Sequence, residues 1–220
     1  FVVTLVVVRR VRTLERYQNR LDTVSSQLSG LEVEDIVTLR DVVMLLQRTE
    51  MVRRIASEIT DYLIELGTDG RLMSLQLDEL IAGVETDRLL VVRDYLPSGG
   101  RKQRALEAAL TDLDALSATD LLDLGSVARA IGFAVSPDVL DQATSPRGYR
   151  LLARVPRLPE VVVDRLVGHF GGLQKLLAAT IEDLQVQLVH LRILARRGDL
   201  LLDSDPEIAA LLTWIWEETS

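Results

Sequence analysis

Leu14, Tyr17, Leu21, Val24, Leu28 and Leu31 recur at alternating steps of three and four, the spacing that lays one apolar seam along a helix. A seam of that length has to be covered by other helices. Residues 32–66 repeat the theme with Ile36, Leu39, Val43, Leu46, Ile55, Ile59 and Leu66, which leaves Arg53 and Arg54 on the outer side, before Gly67-Thr68-Asp69-Gly70 closes the run. Gly30 is expected to interrupt the first helix. Two antiparallel helices of this kind form a stalk that needs at least a third partner, and residues 72–82 and 86–96 supply candidates. Periodicity leaves two readings open: the stripe is the core of this bundle alone, or it also carries a subunit interface.

The segment before the seam, FVVTLVVV, is apolar and β-branched and then meets Arg9 and Arg10. Eight residues are too few to cross a bilayer, which takes about 20, and the basic residues follow the apolar run, the reverse of a signal peptide. A strand-like or frayed end is expected here. No membrane partner is expected, and cysteine is absent, which removes disulfides and thiolate chemistry and fits a cytoplasmic protein.

Pro97-Ser98-Gly99-Gly100-Arg101 is the clearest boundary in the chain. It divides a helical linker or spine (residues 1–97) from a hinge with a connecting helix (98–112) and a second helical domain (113–220). Helices are expected at residues 103–110 and 119–131, with a capping box from Ser117 to Asp120 and a stop at Gly132. Ser136-Pro137-Asp138 is expected to cap another short helix.

Residues 145–185 then read as a helix-hairpin-helix. Ser145 is an N-cap candidate with Pro146 at the first helical position. Tyr149, Leu152 and Val155 fall three apart, Pro156 stops that helix, and Pro159 opens the next, which buries Val162, Val163, Leu166 and Phe170. Gly171-Gly172 ends it. A hairpin of this kind offers backbone N–H groups and helix N-termini to phosphate without reading bases. Charge follows the same division. Residues 146–197 hold nine Arg or Lys against four Asp or Glu, a local +5 in a chain of net charge −8. Arg147, Arg150, Arg154, Arg157 and Lys175 are therefore the candidate DNA-binding residues.

The phrases SPRGYRLLARVPRLP and HFGGLQKLLAATIEDLQ, with TLERYQNRLDTVSSQLSGLEVEDIVTLRDVV, LQRTEMVRRIASEITDYLIELGTDGRL, LQLDELIAGVETDRLLVVRDY and DALSATDLLDL upstream, resemble the linker and helix-hairpin-helix regions of the DisA family of bacterial DNA-integrity scanning proteins. The resemblance covers roughly residues 12–185. It implies an all-α fold, a long-helix linker bundle followed by a helix-hairpin-helix-like domain. It also implies DNA as a partner, branched forms included, and homo-oligomers assembled through the linker helices. In that family both regions follow a diadenylate cyclase domain that joins two ATP into cyclic di-AMP. Its Asp-Gly-Ala and Arg-His-Arg signatures have no counterpart here, so no catalysis is expected from this chain.

The chain departs from the family pattern in two places. Arg157 and Pro159 stand where the usual hairpin places glycines, and Pro159 has no N–H to donate. After Asp183, where Thr180 opens a further capping box, the sequence VQLVHLRILARRG reads as one continuous helix in place of a second hairpin. Beyond Gly198 every charged residue is acidic, and Trp214 and Trp216 sit two apart, so they do not share a helix face. No cofactor or metal is expected: His169 and His190 stand alone, and neither glycine-rich nucleotide loop occurs. Two functions follow, DNA phosphate binding or a helical oligomerisation scaffold that has lost it.

Overall fold

The computed structural model describes residues 2–97, 102–134, 136, 138–156, 158–180, 182–184 and 186. These are helical, with no strand among them beyond one isolated bridge between Thr38 and Ala143. The chain divides into two compact units, Phe1–Ser145 and Pro146–Ser220.

In the first unit, α1 (Val2–Glu34) and α2 (Leu39–Leu66) form an antiparallel pair, as the ion pair of Arg10 with Glu58 at 3.2 Å requires. The expected seam is present. Leu14, Leu21 and Leu28 are buried, and Tyr17, Val24 and Leu31 pack against the same core partly exposed. The apolar start is helix, not strand. Val7 lies one heptad before Leu14 and is fully buried, so burial along the seam outweighs the small helix penalty of β-branched residues. Nor does Gly30 interrupt α1. Its position is exposed and helical, and the helix instead ends at Asp35, which adopts φ +57°.

A capping box then starts α2, with the Thr38 N–H donating to Asp41 Oδ2 at 3.0 Å. This helix is the centre of the unit, since Leu39, Val42, Val43, Leu45, Leu46, Val52, Ala56, Ile59 and Leu63 are all buried. Around it pack α1, α3 (Arg71–Leu80), α4 (Val84–Tyr95) and α6 (Leu124–Ala130), while α5 (Lys102–Ala115) lies against α4 and α6. Gly83 joins α3 to α4 in a left-handed conformation, φ +86°, that other residues adopt with strain.

Arg53 and Arg54 do not sit on an outer side. Arg53 donates to Glu50 Oε2 (2.7 Å), to Asp114 Oδ1 (2.8 Å) and to Glu85, while Arg54 reaches the Leu116 carbonyl oxygen. Arg88, itself buried, donates to Glu50, to Asp114 (2.8 Å) and to the Leu110 carbonyl (3.0 Å). Five charged groups from α2, α4 and α5 are thus closed into one network. Burial works against the Arg53 charge, but Glu85, Glu50 and Asp114 outweigh it and hold the guanidinium above its ordinary pKa.

The expected helix over residues 119–131 is divided. A 3-10 turn, Asp120–Leu122, is closed by the Ser117–Asp120 box, in which the Ser117 N–H donates to Asp120 Oδ2 and the Asp120 N–H to Ser117 Oγ, both at 3.1 Å. Asp123 then caps α6 by accepting from the N–H groups of Gly125 and Ser126 and from the Ser126 hydroxyl. That hydroxyl, with the two N–H groups, holds the Asp123 carboxyl below the usual range. Asp123→Ala is expected to cost about 1 kcal/mol of stability, read from the urea midpoint. A folded-state pKa below the unfolded value means the contribution is full above about pH 4 and is lost as pH falls through the depressed value. The wild type and Asp123→Ala should therefore converge in acid.

At its end the first unit returns to its own α1–α2 corner. The Leu39 N–H donates to the Gln142 carbonyl, the Thr144 N–H to the Val37 carbonyl, and the Ser145 hydroxyl to Asp35 Oδ1. Ser145 is therefore not the N-cap of the next helix.

Candidate nucleic-acid interface

The second unit opens with Pro146 outside any helix, and α7 (Tyr149–Leu152) starts only after Gly148, at φ +112°. Two contacts decide this in place of the expected serine cap. The Leu173 N–H donates to the Pro146 carbonyl at 2.9 Å, and a Cβ at Gly148 would stand 3.4 Å from Leu176 Cδ2 and 3.6 Å from Leu173 Cδ1. The chain entering the hairpin is thereby fastened to α9 (Leu173–Leu177).

Tyr149 and Leu152 are buried as the spacing predicts, but Val155 is 46% exposed because it lies in the turn beyond a single helical turn. That turn is held by Val155 N–H to the Leu152 carbonyl (3.0 Å) and Leu158 N–H to the Val155 carbonyl (3.3 Å). Pro159 is the N-cap of α8 (Glu160–Phe170), extended at ψ 146° and with no side-chain cap of its own. Val162, Val163, Leu166 and also Val167 are buried, whereas Phe170 is half-buried, edge-on to His169. Gly171 ends α8 at φ +73°, and Gly172 is extended. The Thr180–Asp183 box is present: the Thr180 N–H donates to Asp183 Oδ2 at 3.0 Å, and together with the Thr180 hydroxyl it holds the Asp183 carboxyl below its usual range.

Of the expected phosphate contacts, Arg154 and Lys175 are exposed, Arg147 is half-buried and Arg150 is only 6% exposed. The bond from Leu173 to Pro146 brings the backbone of Arg147 and the first turn of α9, with Lys175, to one junction, while Arg154 stands at the hairpin turn. Arg157, the stretch 98–101, His190, the continuous helix expected over VQLVHLRILARRG beyond its first residue, and Trp214 with Trp216 lie outside the described residues. Glu160 places a carboxylate in the first turn of α8, where the helix dipole favours an anion. That carboxylate would compete with a phosphate for the same helix end.

Among the described residues no group of three or more His, Asp or Glu is placed to hold a metal ion, and no helix is long and apolar enough to cross a membrane. A cleft in the first unit of about 380 Å³ is lined by Glu50, Arg53, Arg54, Glu85 and Asp114, whose charges are paired with one another or with backbone carbonyls.

Residues 4–140 match the family model described as the DisA bacterial checkpoint controller linker region. The chain belongs to this family. It is similar to proteins named DNA integrity scanning protein DisA from Streptomyces griseus (65% identical over 174 residues, 79% of this chain and 46% of that protein) and Frankia alni (64% over 173 residues, 79% and 48%). The DisA of Acidothermus cellulolyticus is 63% identical over 174 residues, 79% of this chain and 47% of that protein. The chain thus spans about half the length of the DisA relatives it matches.

Proposed function

We propose that this chain is the linker and DNA-gripping part of a cytoplasmic DNA integrity scanning protein, and that residues 146–180 hold the sugar–phosphate backbone without reading sequence. The observation that carries the reading is the exposure of Arg154 and Lys175 within residues 146–197, the stretch that holds nine Arg or Lys against four Asp or Glu in an otherwise acidic chain. The name of its relatives supports the same partner. Arg147 and Arg157 add to the field. Arg150, being buried, is assigned to orienting the hairpin.

The test is an anisotropy titration of labelled duplex and of a four-way junction over about 50 to 200 mM salt. Removing two phosphate contacts in Arg154→Glu/Lys175→Glu should lower the magnitude of the log–log slope by about 1.8, with helicity unchanged by circular dichroism. An unaltered slope would exclude the second unit as the grip.

A second reading, a helical oligomerisation scaffold, is favoured by the exposure of Ile64 (73%), Leu72 (69%) and Leu75 (63%) at the α2–α3 corner. Light scattering decides it. A stable oligomer that shifts neither DNA at low salt selects the scaffold, and a monomer that shifts DNA eliminates it.

A further inference from the structure

We propose a second phosphate-binding strip, on α1 of the first unit, formed by Arg9, Arg12, Arg16 and Arg20, which tracks the backbone of a nucleic-acid strand. This goes beyond the reading above, which places the grip in the second unit alone.

The four arginines follow one another at steps of three, four and four, so they occupy a single arc about 80° wide along about 16 Å of helix. All four are exposed. None has a carboxylate within ion-pair distance among the described residues, although Arg10, one position away, is paired with Glu58. Of the acidic residues nearest in sequence, Asp22 accepts from Gln18 Nε2 at 3.2 Å, and Glu15 lies on the adjoining arc. Thr13 borders the arc, and beyond the arginines the arc continues with Thr23 and Gln27, all hydrogen-bonding and uncharged.

Two features point to phosphate. Like charges at three- and four-residue spacing destabilise a helix, and among the described residues no carboxylate, Glu15 included, lies within ion-pair distance of the four, so an external anion would relieve the repulsion. The cations are all arginine, the side chain that meets phosphate oxygens in pairs. Arg16 is already held against the helix by bonds from Nη2 to the Thr13 hydroxyl and from Nε to the Arg12 carbonyl, both at 3.3 Å, which limits the freedom it loses on binding. Successive four-residue steps rise about 6 Å, a linear charge array matched to an extended polyanion and not to a single ion.

The test uses the full chain in the same salt titration. Arg12→Gln/Arg16→Gln/Arg20→Gln should lower the slope by about 2.7. The control Arg10→Gln/Arg40→Gln/Arg71→Gln, an equal charge change off the strip, should leave it unaltered. A wild-type slope in the first triple variant, or an equal loss in the control, overturns the strip. The Arg154→Glu/Lys175→Glu variant separates the two sites: a loss there with none on α1 sinks only this inference, and a loss on α1 with none there sinks only the earlier one. Anionic phospholipid vesicles that bind the wild type in a strip-dependent way, with no duplex bound, would also overturn it.

Discussion

Glu50→Leu is expected to lower stability by about 3 kcal/mol, near the lower end of what removing one partner of a buried ion pair costs. Glu50 and Arg88 expose 1% and 5% of their side chains, so the guanidinium left behind cannot recover its hydration. The lower end applies because Arg88 keeps Asp114 and the Leu110 carbonyl, and Arg53 keeps Glu85 and Asp114. The double variant Glu50→Leu/Arg88→Leu removes the stranded charge and should be more stable than Glu50→Leu alone. Urea midpoints of the two single variants and the double variant give the coupling. A single-variant cost below about 0.5 kcal/mol, the level of an ordinary surface change, would show that the network does not fasten α4 and α5 to α2.

Leu46→Ala should cost about 2–5 kcal/mol, since the side chain is fully buried in the middle of α2 and a cavity would remain where several helices meet. The urea midpoint should fall with the slope unchanged. Ile64→Ala, on the same helix but 73% exposed, should change stability by no more than about 0.5 kcal/mol. Equal losses at the two positions would contradict the placement of the α2 core.

What the sequence disclosed is what short-range physics decides. Leu14, Leu21 and Leu28 declare a buried stripe because helical neighbours at that spacing share a face, and the Ser117–Asp120 and Thr180–Asp183 boxes close within four residues. The start of α1 reads as strand because Val2, Val3, Val6, Val7 and Val8 carry a strand-like composition, while Val7 is buried in the core it shares with α2. Arg53 resembled any solvated arginine, since its partners Glu85 and Asp114 are 32 and 61 positions away. In the candidate interface, Arg154 and Lys175 were legible as exposed cations, but Arg150 was not legible as buried. A helix of one turn, Tyr149–Leu152, offers no period from which to assign a face. The arginines of α1 stand in plain view in the sequence, and what gives them meaning is that no carboxylate among the described residues lies within ion-pair distance of them.

The antiparallel pair at the centre of the first unit has a mechanical consequence. A helix of 33 residues measures about 50 Å, and the 28 residues beside it about 42 Å. Laminated along a continuous seam, the two act as a splinted beam, much stiffer against bending than either alone. Tilting one tip carries the other through a comparable swing in the opposite sense, so a small push at one extremity reaches the far one as displacement and is not absorbed as curvature.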